Sequence, residues 1–143
     1  MEFTGICDLR WVAERHWEAA GMARILFIDD DPAVLALAGG ILTARGHHVT
    51  LAISGHAGIE AYRRELFDLV VTDIFMPEQD GIETIGQIRR STRGTPILAI
   101  SGSHRGDGYL RAASALGANA TLEKPFTPDQ LIDTVDRLLQ AFA

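Results

Sequence analysis

Cysteine occurs once in the 143 residues, at Cys7, so the chain can form no intramolecular disulfide and no thiolate-rich metal site. A reducing compartment suits such a chain. Basic blocks are missing too: thirteen Lys and Arg against nineteen Asp and Glu give a formal charge of −6, whereas nucleic-acid surfaces carry a basic face. Proteins and a cation are the expected partners, with no nucleic acid among them. No apolar run approaches the roughly 20 residues that cross a bilayer, and the first residues lack the basic start and apolar core of a secretory signal. The expectation is a soluble, cytoplasmic protein with no membrane partner. Internal repeats, low-complexity tracts and a phosphate-cradling G-x-x-x-x-G-K-[ST] segment are also absent, which argues against a solenoid and a nucleotide hydrolase.

What is present is the composition of one globular domain, 47% hydrophobic and 22% charged. From Arg24 onward, short apolar β-type runs alternate five times with longer stretches at helical spacing, which predicts an α/β fold. The predicted strands are Ile25–Ile28, His48–Ala52, Leu69–Thr72, Ile97–Ile100 and Ala120–Leu122. Val34, Leu35, Ala38, Ile41 and Leu42 share one helical stripe, as do Leu131, Ile132, Val135, Leu138, Leu139 and Phe142. Helix starts are marked by Asp31 before Pro32, by Asp80 with Glu83 three residues on, and by Thr127 followed by Pro128 and Gln130. Gly39 and Gly40 interrupt the first helix and call for a packing reason. The fourth helix, with only Leu110, Ala113 and Leu116 to anchor it, is expected to be loosely held. The tract Arg89, Arg90 and Arg93 reads as the solvated end of the third helix.

Residues 1–23 stand outside this rhythm as an N-terminal extension to a domain spanning 24–143. Leu9, Ala13, Trp17 and Ala20 can line one side of a short helix that starts after Asp8 and ends at Gly21. Met22 stands directly before the first strand, so the extension can equally be non-native.

In doubly wound sheets ligands bind at the carboxyl ends of strands. The first predicted strand ends in Asp29, Asp30 and Asp31, and the third in Asp73. Carboxylates brought together there repel by about 4 kcal/mol per pair at 4 Å and an effective dielectric of 20, so the cluster asks for a cation. Oxygen ligands without sulfur favour Mg2+ or Mn2+. The fourth strand ends in Ser101, a hydroxyl donor, and the fifth in Lys124, an ammonium suited to a phosphate or an acid. Such a set can hold a tetrahedral phosphoryl group, and a carboxylate can be the nucleophile that receives it.

The segments ILFIDDD (Ile25–Asp31), VTDIFMPEQDG (Val71–Gly81), PILAISG (Pro96–Gly102) and KPF (Lys124–Phe126) resemble response-regulator receiver domains. The resemblance covers residues 24–143. It implies a flavodoxin-like, doubly wound, five-stranded parallel sheet of order 2-1-3-4-5 with helices on both faces, as in stand-alone chemotaxis regulators. It also implies Asp73 as phosphoacceptor, metal held by Asp29 (through water), Asp30, Asp73 and the backbone carbonyl of Phe75, and Ser101 and Lys124 on the phosphoryl group. Asp31 is then a helix cap, and the Lys124–Pro125 peptide is cis. Thr121 stands where many receivers have a switch aromatic, so the usual aromatic swing is not expected. Phe75 either shields the phosphoryl group or packs beside Met76 and Pro77.

The implied partners are a histidine kinase or histidine phosphotransfer protein and a downstream protein target, reached through the last two helices and fifth strand, with a homodimer also open. With no output domain after Phe142, a stand-alone regulator or a fragment of a longer chain is expected, and catalysis is limited to its own aspartyl phosphorylation and dephosphorylation. Two alternatives remain. One is a receiver-like interaction module that works without phosphate. The other is a haloacid-dehalogenase-type phosphatase, whose acid spacing Asp29 and Asp31 match but whose Thr or Val is replaced by Ala33. His47 and His48 lie at the far end from the acids and are read as structural; His56 and His104 are isolated, His104 in the loop after Ser101.

Overall fold

A strand buried on both faces must be apolar at nearly every position, whereas an edge strand can alternate. The five strands divide in this way in a computed structural model, which describes residues 22–76, 81–92, 94–102 and 107–142. The strands β1 (Arg24–Ile28), β3 (Leu69–Asp73) and β4 (Ile97–Gly102) are buried almost throughout, while the edge strands β2 (His48–Ala52) and β5 (Ala120–Lys124) carry exposed positions, strictly alternating in β5. All pair in parallel, in the order β2-β1-β3-β4-β5. The doubly wound sheet of order 2-1-3-4-5 is therefore the fold.

The connecting helices are α1 (Pro32–Ala44), α2 (Gly55–Arg64), α3 (Gly81–Ser91), α4 (Asp107–Leu116) and α5 (Pro128–Ala141). Alternation along each strand sends successive side chains into two separate cores. Ile25, Phe27, Leu69, Val71, Leu98 and Ile100 meet α1 and α5. Leu26, Ile28, Val70, Ile97 and Ala99 meet Ile59 of α2, Ile85 and Ile88 of α3, and Ala113 of α4. Of the residues expected to anchor α4, Ala113 is buried and Leu116 exposed, and the Leu110 side chain lies outside the described ones. Phe142 departs from the predicted α5 stripe. It is the C-cap, 44% exposed, because the helix has ended before its side chain could return to the core.

Asp31 and Thr127 cap α1 and α5, the latter in a reciprocal capping box with Gln130. Gly39 has a packing reason, since a Cβ there would stand 3.2 Å from the Leu51 side chain; Gly40 has none within 4 Å. The expected cap at Asp80, Arg93, His104 and the short helix expected between Asp8 and Gly21 lie outside the described residues. Among those described, no helix is long and apolar enough to cross a membrane.

Two polar devices close the chain ends of the sheet. Burial and hydrogen bonding give His47 the structural role assigned to it: its Nδ1 accepts the Ala23 N–H at 3.0 Å. Arg89 corrects the sequence reading of a solvated helix end. Its Nε donates to the Gly117 carbonyl (2.9 Å) and its terminal nitrogens to the Thr95 carbonyl and Asn119 Oδ1 (2.7 Å each), so it clasps the loops before β4 and β5. Gly117 sits at φ +121°, a conformation that disfavours any side chain, and a Cβ would meet the Arg89 chain at 2.8 Å. Removing the guanidinium would strand several acceptors, so Arg89→Ala is expected to lower stability by about 2–3 kcal/mol, read from the urea midpoint at unchanged slope.

Burial lowers the His47 pKa below its ordinary 6.5, with the Arg45 charge in the same direction and that of Asp136 opposing. The unfolded chain therefore binds a proton that the folded chain rejects. His47 contributes fully above pH 6.5 and loses its contribution as pH falls toward the folded value. In urea titrations, wild type should lose up to about 1.4 kcal/mol per pH unit more than His47→Asn in that window.

Candidate functional site

The strand order reverses between β1 and β3, which brings their carboxyl ends side by side at one edge of the sheet, the place where doubly wound sheets bind ligands. Asp29 follows β1 directly and is fully buried; Asp73 is the last residue of β3 and 5% exposed; Asp30 is exposed. Carboxylate oxygens of these three residues lie within 4.8 Å of one another. Asp31, expected as a cap, is one: its carboxylate accepts the Ala33 N–H at 2.9 Å. That bond sets it apart from the cluster, which removes the acid pair on which the dehalogenase-type reading rested.

Each carboxylate is held by backbone. Asp29 Oδ1 accepts the Asp31 N–H at 2.9 Å, and Asp73 Oδ1 accepts the Phe75 N–H at 3.2 Å. Lys124, at the end of β5, reaches across the sheet edge to place its ammonium 2.8 Å from Asp29 Oδ2 and 3.1 Å from Asp73 Oδ2. Asp29 Oδ2 nevertheless lacks a hydrogen bond of sound geometry, although it is buried. Three carboxylates against one ammonium leave a formal charge of −2. A buried, underserved carboxylate oxygen, a second, exposed acid and all-oxygen donors fit a hard divalent cation.

Burial raises the Asp29 pKa, with the Asp73 charge in the same direction, although the adjacent Lys124 ammonium and the Asp31 N–H oppose them. Burial also pulls the Lys124 pKa down, but its bonds and attraction to Asp29 and Asp73 outweigh that and leave it raised. Lys124 thus remains an ammonium at neutral pH. Ser101 is buried at the end of β4, its hydroxyl donating to the Gly102 carbonyl at 3.4 Å, a long bond that is readily exchanged. The Lys124–Pro125 peptide is cis. Phe75 packs against the core beneath α2 and α3, and Thr121 is exposed on β5. His56 is exposed on α2, and His48 is exposed at the start of β2.

The family model for the response regulator receiver domain matches residues 25–136. The chain belongs to this family. It is similar to the transcriptional regulatory protein GlrR of Escherichia coli, 35% identical over 121 residues that make up 85% of this chain and 27% of GlrR. To the uncharacterized 14.6 kDa protein in the sodA1 3′ region of Leptolyngbya boryana it is 37% identical, over 82% of this chain and 91% of that one. Among solved structures, a receiver domain protein of Methanospirillum hungatei matches with a TM-score of 0.80 at 27% identity, covering 84% of this chain and 95% of that one. The chain spans about a quarter of the length of GlrR.

Sequence reasoning placed the acids, Ser101 and Lys124 of this receiver at one edge, and the structure brings Asp29, Asp30, Asp73 and Lys124 together there. It missed Gly81. The Gly81 N–H donates to the Ile74 carbonyl at 2.8 Å, and a Cβ on Gly81 would run into the Asp73 carbonyl and stand 2.6 Å from Ile74 Cα. The start of α3 thus rests directly on the Asp73 backbone. The Asp80-Gly81 pair in the sequence was the available signal, but a turn glycine and a close-approach glycine look alike until the packing is known. Gly81→Ala is expected to cost about 2 kcal/mol or more by forcing α3 off β3, and to weaken Mn2+ binding measured by calorimetry although no carboxylate has changed.

Proposed function

We propose that this receiver accepts a phosphoryl group on Asp73 from a histidine kinase or histidine phosphotransfer protein and passes the signal to a protein target in the cytoplasm. The observation that carries the reading is the Asp73 carboxylate at the strand reversal, flanked by Asp29 and Asp30 within 4.8 Å and by the Lys124 ammonium at 3.1 Å. The carboxylates of Asp29, Asp30 and Asp73 with the Phe75 carbonyl would hold Mg2+, or Mn2+ in its place, Asp29 through water. When bound, the ion aligns the phosphoryl oxygens and neutralises their charge.

The chain's own groups do the rest. An Asp73 oxygen forms the new bond to phosphorus as the bond from phosphorus to the donor's imidazole nitrogen breaks in line, the departing nitrogen taking a proton from solvent. Asp73 must give up part of its contact with Lys124 for this, and the ammonium is placed to follow the negative charge onto the phosphoryl group. Ser101 can exchange its 3.4 Å bond to the Gly102 carbonyl for one to a phosphoryl oxygen. That exchange would pull on the chain leading toward α4, so the response does not need an aromatic at Thr121. Hydrolysis of the aspartyl phosphate resets the protein; no metabolite is turned over.

Incubation with Mg2+ and acetyl phosphate is expected to add one acid-stable, base-labile phosphoryl group by intact mass, absent in Asp73→Asn and absent without Mg2+. Failure to form an adduct, together with failure of beryllofluoride to bind the folded protein, would assign the chain to the phosphate-independent interaction modules.

A further inference from the structure

We propose that β2 is an interface between two copies of this chain, pairing antiparallel with β2 of a second copy about a two-fold axis at Thr50. This contact is separate from the phosphoryl chemistry. Among the described residues β2 and β5 are the two edges of the sheet, and they meet water differently. The β5 edge carries an exposed Glu123 next to Lys124. Charge of this kind keeps an edge strand from pairing with another chain. The β2 edge has no such guard: from His47 to Ser54 there is no Asp, Glu, Lys, Arg, Pro or Gly, and Leu51 is 46% and Ile53 66% exposed. Its main chain is open as well. The His48 N–H donates to the Ala23 carbonyl (2.8 Å) and the Ala52 carbonyl accepts the Asp29 N–H (3.0 Å), so the even-numbered residues of β2 bond inward to β1. Val49 and Leu51 therefore direct their N–H and C=O to the side on which the described sheet ends, as a row of donors and acceptors ready for another strand.

A second copy is the occupant that this edge fits. A chain of formal charge −6 repels its own copies, so two of them meet at least cost where the surface is uncharged. The helices on either side of β2 extend that neutral surface. No residue of α1 is charged, and a Cβ on Gly39 would stand 3.2 Å from Leu51, so the Gly39 side of the helix faces this edge. Its helical neighbours Ala36, Gly40 and Thr43 are exposed. In the other layer α2 turns His56, Glu60 and Arg63 toward α3, which leaves Ala57 and Ala61 on the flank away from it. Small residues on both flanks leave room for the helices of the copy. The strand is also complementary to itself. With Thr50 opposite Thr50 of the copy, Val49 stands opposite Leu51, and these two exchange both main-chain bonds while their side chains meet on one face. The same contact occurs on each side of the axis, as a closed two-fold dimer requires.

Sedimentation of the full chain at tens of micromolar should give a dimer. In it the Val49 and Leu51 amides should exchange with deuterium about tenfold or more slowly than after dilution to monomer. Thr50→Lys and Thr50→Glu each set like charges opposite one another at the axis, so either variant alone should be monomeric while circular dichroism reports an intact fold. An equal mixture of the two should recover the dimer, because opposite charges then face each other. Glu60→Lys, on the α3 side of α2, should leave the dimer unchanged. A monomeric wild type would overturn the inference and leave the edge to a strand from another protein. A dimer that tolerates both Thr50 substitutions, or in which the Val49 and Leu51 amides exchange as in the monomer, would overturn it as well. Loss of the dimer in both variants without recovery on mixing would overturn the axis at Thr50. Should both variants fail to fold, amide exchange in the wild type decides by itself.

Discussion

Repulsion among three carboxylates at one sheet edge is the constraint on which the rest of the structure depends. Left alone, Asp29, Asp30 and Asp73 would push apart β1 and β3, the two strands at the centre of the fold. Their separation is opposed from below by strand pairing and two apolar cores, and from the side by Lys124. Because the parallel sheet is buried on both faces, the strand ends cannot relax without exposing core residues, so the charge cluster is held at a density that water would not tolerate. The same confinement raises the Asp29 pKa and gathers all-oxygen donors of the kind that suit a hard divalent cation.

The supports of the site are therefore spread through the chain. Gly81 lets α3 rest on the Asp73 backbone, and the Asp31 cap draws one acid out of the cluster into α1. Arg89 and Gly117 secure the loops that feed β4 and β5, the strands that carry Ser101 and Lys124. At the opposite edge His47 ties the entry of β1 to the start of β2.

Much of this was legible in the linear chain. Strand periodicity, the caps at Asp31 and Thr127, and acids placed at strand ends depend on neighbours a few residues away, so the alternating α/β rhythm and the candidate acids could be read directly. Leu35, Ala38, Leu131 and Val135 appeared as core stripes for the same reason. Arg89 did not, because an arginine at a helix end looks solvated until the loops at Thr95 and Gly117 come within reach of its guanidinium. Phe142 failed in the opposite direction: apolar periodicity continued to the C-cap, whose N–H still bonds the Leu138 carbonyl but whose side chain is 44% exposed.

The sequence by itself determined the alternating elements, the acidic, hydroxyl and ammonium groups at their ends, and the family to which those motifs belong. Only the tertiary structure decided which oxygens meet Lys124, which acid serves as a cap, why Gly81 must lack a side chain, and that α1 turns an uncharged face outward. The division has one physical cause. Hydrogen-bonding pattern and side-chain periodicity are local properties of a chain, whereas charge compensation and close approach belong to groups that only folding brings together.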